Sequence, residues 1–374
     1  MGSKKELINE IVLSINEIRT DETICDLFAG TSVLSGAIGN QVNMVSNDIQ
    51  EYSAILAKTY LTANNWNMDS VLNDVMEKAT NYTKRVRKVY PELVYGYYNN
   101  IPLNEFNALE QQQQDLIYFD FEELEHNLFI KNYSGTYWSF EQCLWIDALR
   151  VTIEEYNGKN EYYSLLSSLM FAMAYNAQST GHYAQYRDAN DEASMNDIII
   201  YRMKEIQPLF IKKFKELSGC INSESHNFRV CTGDYVDCIE TLNEPTITYA
   251  DPPYVFVHYS RFYHALETLV KYDYPEVKFK GRYRMDRHQS PFCKRSEVSE
   301  AFRTMFRKIY SVRSKLVLSY SNTGMISIQD ILELINQEIP DHSIKTKELD
   351  YNHSTMGRSQ DKKRRVTEYL ITVS

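Results

Sequence analysis

The sequence predicts an α/β fold: a Rossmann-like, mostly parallel sheet that is interrupted by a largely helical insertion. Residues 23–38 have the pattern of a strand, a glycine turn and a helix, and residues 42–48 have that of a second short strand. A third run, residues 246–250, has no charged side chain. Strands that are buried in a parallel sheet have this composition, and strand, turn, helix, strand is the order of a βαβ unit.

The chain of 374 residues is too long for one simple core, so we expect two domains. Strand patterns lie at both ends of the sequence, and we therefore assign residues 1–75 and 226–374 to a split sheet domain. Residues 76–225 are predicted to be a mainly helical insertion. They contain helix-length patterns such as residues 162–174, whose apolar spacing is that of a buried helix.

Composition indicates a globular protein, because 43% of the residues are hydrophobic. No run of about twenty apolar residues occurs, and the first residues lack the apolar core of a signal peptide, so we expect no membrane span and a cytoplasmic location. The cysteines show neither C-x-x-C nor paired Cys/His spacing. We therefore expect reduced thiols and no metal site.

The glycine turn predicts a cofactor site at the start of a helix. Gly30 can take a backbone conformation or a close approach that a Cβ would block, and backbone N–H groups at a helix start can face a ligand. Asp48 ends the second strand about twenty positions later, where one carboxylate can accept both hydroxyl protons of a ribose. A full G-x-G-x-x-G is absent, so a cofactor with one ribose fits better than a dinucleotide. The alternative is a generic βαβ unit in which Asp48 caps a helix.

Asp251, Pro252, Pro253 and Tyr254 directly follow the third strand. Ligands of open α/β sheets bind beyond the carboxyl ends of the strands, so this loop is a candidate catalytic site. The prolines have no N–H, and the loop therefore offers a carboxylate and carbonyl oxygens as acceptors. Such a loop suits the exocyclic amino group of a planar base that stacks on Tyr254. The alternative is an ordinary Pro-Pro turn after a strand.

Together these segments resemble the DNA adenine-N6 methyltransferases, in the Dam-like class whose glycine motif precedes D-P-P-Y by a long insertion. The resemblance extends to residues 2–7, which are similar to the G-x-K-x-x-L segment of that family. It implies S-adenosylmethionine as the cofactor, with no metal. The cofactor-binding residues that it implies are Lys4 at the methionine part, Asp26, Phe28 and Gly30 in the F-x-G motif, Asp48 at the ribose and Asp234 at the adenine.

Ser32 departs from the family pattern, which has a second glycine at this position. A side chain here crowds the approach of the cofactor. Serine is small and its hydroxyl can form hydrogen bonds, so we expect weakened or re-routed contact rather than a closed pocket.

The resemblance also implies the reaction and the partners. Methyl transfer to N6 of an adenine requires the base to leave the duplex, with Asp251 and the Pro252 carbonyl holding the amino hydrogens. The expected partner is double-stranded DNA, together with a cognate restriction endonuclease where the chain is the modification half of such a system. A monomeric bacterial or phage protein is expected.

Two alternatives stay open. One is a methyltransferase of the same fold that acts on cytosine N4, an RNA adenine or a glutamine amide. Cytosine-N4 enzymes usually have S-P-P-Y and glutamine enzymes N-P-P-Y, whereas this chain has Asp251. The other is a non-catalytic relative that only binds DNA or a partner subunit.

Clusters of basic residues are the candidate DNA contacts, although the formal net charge is −10. Local charge governs phosphate contact more than the sum does. A single basic run is more often a solvated face, but three occur: residues 84–88, 278–315 and 362–365. We assign target recognition to the insertion, residues 76–225, where the polar, aromatic and cationic side chains of residues 180–187 can read base edges, and we expect residues 277–298 to share this task. The predicted DNA-binding residues are Gln185, Arg187, Arg282, Arg284, Arg287, Lys294 and Arg295.

Overall fold

The computed structural model describes residues 4–179, 182–220, 226–254, 256, 259–353 and 364–374. Its strands are β1 (Thr23–Asp26), β2 (Met44–Asp48), β3 (Phe228–Thr232), β4 (Thr246–Ala250), β5 (Val277–Lys278), β6 (Tyr283–Arg284), β7 (Lys315–Ser321), β8 (Ile344–His353) and β9 (Arg364–Val373). Seven of these strands form one sheet in the order β3-β2-β1-β4-β7-β9-β8, and β5 pairs with β6 in a separate hairpin.

The described helices are α1 (Lys4–Ile18), α2 (Val33–Ile38), α3 (Glu51–Leu61), α4 (Met68–Val89), α5 (Leu103–Gln114), α6 (Leu128–Tyr133), α7 (Phe140–Glu154), α8 (Glu161–Asn176), α9 (Glu192–Arg202), α10 (Ile206–Cys220), α11 (Tyr235–Glu240), α12 (Tyr259–Lys271), α13 (Val298–Ser311) and α14 (Ile328–Glu338). Two short 3-10 helices span Asp115–Tyr118 and Pro291–Cys293. The apolar pattern of residues 162–174 forms most of α8.

The sheet is parallel from β3 to β7, and β9 runs antiparallel between β7 and β8. Side chains alternate between its faces, as the period of a strand requires. On β1, Ile24 packs with α1, α2 and α3, whereas Cys25 packs with α11, α13 and α14. Helices therefore cover both faces, which explains why β1 and β4 are buried along their whole lengths. The predicted α/β class with a mostly parallel sheet is confirmed.

The chain divides into two compact units. The first unit comprises Met1–Thr62, Glu224–Arg261 and His288–Ser374, and the second comprises Ala63–Ser223 and Phe262–Arg287. The first unit contains the sheet. In the second unit, α7 packs against α4 and α8, and α8 packs against α10.

Residues 63–75 and 262–287 lie in the second unit, whereas the sequence patterns assigned them to the sheet domain. Buried hydrogen bonds from an arginine hold residues 262–287 in the second unit. Arg150 of α7 donates to the carbonyls of Leu269 and Val270 at 2.8 and 3.0 Å, where α12 ends. Sequence periodicity reports the length of a helix, but it does not report which neighbours the helix packs against.

Two further findings concern the described residues. None of their helices combines the length and the apolar character that crossing a membrane requires. Cys25, Cys143, Cys231, Cys238 and Cys293 are free thiols.

Candidate active site

The carboxylates that the motifs predicted lie at the carboxyl ends of three adjacent strands in the first unit. Asp26 ends β1, Asp48 ends β2 and Asp251 directly follows β4. The strand order places β1 between the other two. Asp26 is buried, and burial, together with the charges of Asp251 and Asp48, raises its pKa well above the usual range of an aspartate. The motifs therefore converge on one acidic site.

Asp48 fixes the backbone around the glycine turn. Its Oδ2 accepts the N–H of Gly30 at 2.8 Å, and its Oδ1 accepts the N–H of Gln50, just before α3, at 2.9 Å. Gly30 has a φ of +53°, which a side chain rarely adopts. The carboxylate thus organises the turn and the start of α3.

Ser32 also has a left-handed backbone conformation, with a φ of 56°. Its side chain is fully buried, and its hydroxyl donates to the carbonyl of Ser53 in α3 at 3.1 Å. A glycine at this position of the family pattern is understandable, because glycine has no Cβ penalty at positive φ. The serine hydroxyl therefore forms its hydrogen bond with α3.

Asn47 links the ends of three strands, and the sequence patterns did not identify it. Its side-chain amide donates to the carbonyl of Leu27 after β1 at 3.2 Å and to the carbonyl of Gly233 after β3 at 3.3 Å. The N–H of Gly233 returns a bond to the carbonyl of Asp48 at 3.1 Å. The sequence offers one hint, an amide side chain directly before the predicted ribose acid.

An aromatic wall borders the glycine turn. The Phe28 ring lies 5.7 Å from the ring of Tyr235 and 5.5 Å from that of Phe292, centroid to centroid. Asp234 precedes Tyr235 and caps α11, because its Oδ1 accepts the N–H of Val236 at 2.9 Å. This segment thus holds Asp234 beside the wall.

Lys4 connects Asp251 to a buried acid on β9. Its ammonium lies 3.2 Å from Oδ1 of Asp251, donates to Oγ of Ser319 at 2.8 Å and donates to Oε1 of Glu368. Ser319 donates to the same Oε1 at 2.7 Å. The family resemblance placed Lys4 at the methionine part of a cofactor, whereas here it pairs with the candidate catalytic carboxylate. Residues 2 and 3 of that motif lie outside the described residues.

The environment of Asp251 brings its pKa closer to neutrality. Burial raises the pKa of Asp251 to about 6, because Lys4 only partly offsets the loss of solvation and Glu368 adds repulsion. Burial alone would lower the pKa of the Lys4 ammonium, but the charges of Asp251 and Glu368 outweigh it and raise that pKa. Lys4 therefore stays protonated, and the carboxyl group of Asp251 is more basic than that of an ordinary aspartate.

Tyr254 is largely covered. It is 8% exposed, and its ring centroid lies 5.7 Å from that of Tyr320 in an edge arrangement. Pro252 is buried and Pro253 half-buried. A base that stacks on Tyr254 requires the residues that cover this ring to rearrange.

Two of the predicted DNA contacts are structural within the second unit. Arg284 is buried and forms ion pairs with Asp273 and Asp286, at 2.6 and 2.8 Å. Arg282 donates to the carbonyls of Asn132 and Gln114. Both guanidinium groups bind other groups of the protein, so neither arginine is part of the DNA contact that we propose.

The other predicted contacts differ in their availability. Gln185 and Arg295 are exposed. Arg187 is paired with Asp197, and Lys294 lies 3.2 Å from Glu297. Arg287 is half-buried over the ring of Tyr283. Residues 180, 181, 362 and 363 of the predicted nucleic-acid segments lie outside the described residues.

Among its described residues, the site contains an unpaired buried acceptor and open space for a ligand. Within the described part of the chain, Oδ1 of Asp26 is buried and has no hydrogen-bond partner. Apart from Gly233 and its two chain neighbours, no described residue has an atom within 4 Å of the point where a Cβ on Gly233 would be. An orphaned acceptor beside several carboxylates suits a positively charged ligand, and the space at Gly233 admits one. The described residues contain no group of three or more His, Cys, Asp or Glu that could hold a metal ion.

The strand order and the acids at the carboxyl edge define a Rossmann-like methyltransferase fold. The chain belongs to the D12 class N6 adenine-specific DNA methyltransferase family, whose profile matches residues 1–323. This confirms the family that the motifs indicated.

The curated proteins to which the chain is similar include the following three. Modification methylase LlaI of Lactococcus lactis subsp. lactis is 25% identical over 370 residues, which cover 97% of this chain and 52% of that protein. Modification methylase StsI of Streptococcus sanguinis is 23% identical over 381 residues, which cover 100% of this chain and 51% of that protein. Type II methyltransferase M.NlaIII of Neisseria lactamica is 25% identical over 347 residues, which cover 90% of this chain and 87% of that protein. This chain thus spans about half the length of the first two relatives.

Proposed function

We propose that this chain transfers a methyl group from S-adenosylmethionine to N6 of a flipped-out adenine in duplex DNA, as the modification enzyme of a restriction-modification system. The observation that carries the proposal is the half-buried Asp251 directly after β4, in an acceptor-rich loop beside the acids of β1 and β2. Membership of the D12 class supports the choice of adenine N6.

Asp48, Asp26 and Asp234 are the proposed holders of the cofactor, with Asp48 at the ribose. When bound, S-adenosylmethionine supplies an electrophilic methyl group on a sulfonium, and a neutral thioether remains after the C–S bond breaks and the N–C bond forms. The orphaned oxygen of Asp26 and the negative charge of the site favour a cationic ligand. Gly30 and Gly233 keep the backbone approach open.

Asp251 and the Pro252 carbonyl are the proposed acceptors for the two hydrogens of the adenine amino group. Lys4 occupies one oxygen of Asp251, which leaves Oδ2 for the substrate. Positive charge develops on N6 during transfer, and a preorganised carboxylate in a water-poor site stabilises it. N6 then loses one proton, and Asp251 is suited to accept it because its pKa of about 6 exceeds that of an ordinary aspartate.

The test is transfer of a labelled methyl group from S-adenosylmethionine to unmethylated duplex DNA, followed by digestion to nucleosides. We expect the label in N6-methyldeoxyadenosine. Label in cytosine or in RNA would instead support another planar amine as the substrate. DNA binding without transfer would support a non-catalytic relative.

Arg295 is our strongest candidate for a phosphate contact near the site. It is exposed and lies three residues after Phe292, which packs on Phe28 of the glycine motif. We expect Arg295→Ala to weaken DNA binding about equally for all sequences and to reduce the slope of log K against log salt by about 1, because one phosphate contact is lost. Fluorescence anisotropy at several salt concentrations measures both quantities.

Arg229→Ala is the matched control, because Arg229 is an exposed arginine on β3 of the same unit. We expect it to leave the salt slope unchanged. Equal slopes for the Arg295 variant and wild type would show that Arg295 does not contact phosphate.

Ser32 gives a prediction about cofactor affinity. We expect Ser32→Gly to change the Kd for S-adenosylmethionine by less than about threefold, because the serine hydroxyl is already bonded to Ser53. Relief of the left-handed backbone conformation offsets the lost hydrogen bond, so the free energy of unfolding should stay within about 1 kcal/mol of wild type. Ser32→Ala loses the bond without that relief and should be the less stable variant. Calorimetry and urea unfolding measure these quantities, and tenfold tighter binding by the glycine variant would show that Ser32 does crowd the cofactor.

A further inference from the structure

Glu368 is a fully buried acid on the antiparallel strand β9. It lies outside residues 1–323, which match the family profile. We propose that Glu368 is a positioning residue for the methyl transfer: it holds the Lys4 ammonium beside Asp251 and takes up part of its positive charge, so that Asp251 remains an effective acceptor. This inference rests on the function proposed above.

The hydrogen bonds around Lys4 fix its position. An ammonium group has three N–H donors, and Lys4 has three acceptors: Asp251, Ser319 and Glu368. Ser319 in turn donates to the same Glu368 oxygen at 2.7 Å. Two of the three acceptors thus belong to one network on β7 and β9, and Asp251 is the third. The network determines where the ammonium meets the catalytic loop.

Burial decreases from Glu368 towards the catalytic loop. The side chain of Glu368 is 0% exposed, that of Lys4 is 14% exposed and that of Asp251 is 19% exposed. Glu368 shares the α1 face of the sheet with Leu370, which places it opposite Lys4 at the start of α1. A carboxylate in such a site is costly without a partner. Its only described cationic partner is Lys4, and this ion pair holds the Lys4 ammonium next to Asp251.

The charges explain why a second acid benefits the reaction. The charged and titratable groups that act on Asp251 are Lys4 on α1, Glu368 on β9, Asp26 on β1 and Tyr249 on β4. A lysine that faced Asp251 alone would bind its carboxylate tightly and make it a weaker acceptor. Glu368 shares the ammonium and adds a second negative charge. Asp251 therefore keeps the proton affinity that removal of the N6 proton requires.

The test is Glu368→Gln, which preserves shape and removes one negative charge. The rate of a single turnover is measured against pH, and its acid limb reports the ionisation of Asp251. We expect the midpoint of this limb to move to lower pH by about one unit, because repulsion from Glu368 is lost and Lys4 then acts on Asp251 alone. The rate on the plateau should fall by up to about tenfold, since an acceptor that is less basic by about one pKa unit is a weaker proton acceptor.

Two measurements separate this effect from misfolding. Thermal unfolding and calorimetric binding of S-adenosylmethionine should be close to wild type, because Lys4 retains Asp251 and Ser319 as partners. Glu348→Gln is the matched control: Glu348 is exposed on the neighbouring strand β8, and its variant should keep the wild-type acid limb. An unchanged limb in a folded, active Glu368→Gln enzyme would overturn the inference.

A second comparison applies should Glu368→Gln fail to fold. Lys4→Gln should move the acid limb to higher pH, because the favourable charge beside Asp251 is lost. Adding Glu368→Gln should move the limb down again, because repulsion from Glu368 is lost as well. The double variant is expected to fold, since it buries no unpaired charge. Coincident limbs for the single and double variants would overturn the inference. Absence of methyl transfer by the wild-type enzyme would instead contradict the proposed function.

Discussion

We expect Asp251→Asn to lower the single-turnover rate of methyl transfer by about a thousandfold or more. The amide has nearly the shape of the carboxylate, but it lacks the charge that stabilises positive N6 and it cannot accept the N6 proton. Loss of one preorganised electrostatic group costs about a hundredfold to a thousandfold, and loss of a proton acceptor adds to that. The rate is measured by rapid quench with labelled S-adenosylmethionine and digestion to nucleosides.

Binding of S-adenosylmethionine should change much less than the rate, because its proposed holders are Asp26, Asp48 and Asp234 rather than Asp251. Asp237→Asn is the control, since Asp237 is an exposed aspartate on α11 in the same unit and should leave the rate unchanged. A loss smaller than tenfold in Asp251→Asn would show that the loop positions the base without chemical participation.

Much of this site follows from the sequence because parallel strands end at one edge. A strand pattern followed by an acid occurs three times, in β1, β2 and β4, and the carboxyl ends of adjacent parallel strands meet. The acids Asp26, Asp48 and Asp251 could therefore be placed together before their contacts were known.

Glu368 could not be placed in the same way. It lies on the one strand of the sheet that runs antiparallel, far along the chain from the motifs, and pairing across a sheet leaves no local signal. A glutamate in phase with Leu370 was the available hint. A charged residue on the buried side of an apolar strand calls for a partner.

The basic residues show what composition alone does not predict. Composition records that Arg282 and Arg284 lie in a cationic segment, but it does not record that carbonyls and acids surround them. Long side chains can turn inward as readily as outward. Burial decides between a phosphate contact and an internal ion pair, and burial is a property of the fold.

An internal ion pair of this kind gives the largest stability effect that we expect. Arg202 of α9 is fully buried and pairs through two nitrogens with Glu110 of α5, whose side chain is 10% exposed. Arg202 also donates to the carbonyl of Thr136 at 2.7 Å, and Tyr97 donates to Glu110. We expect Arg202→Ala to lower the free energy of unfolding of the second unit by about 3–5 kcal/mol, because it leaves a buried carboxylate without a cation.

Urea unfolding followed by tryptophan fluorescence measures this loss selectively, because all three tryptophans, at positions 66, 138 and 145, lie in the second unit. Arg87→Ala is the control: Arg87 and Glu141 form an exposed ion pair in the same unit, and such pairs contribute about 0–1 kcal/mol. The double variant Arg202→Met, Glu110→Leu should recover much of the loss, since apolar side chains need no solvation. Equal losses for the single and double variants would show that the packing of Arg202, rather than its charge, stabilises this unit.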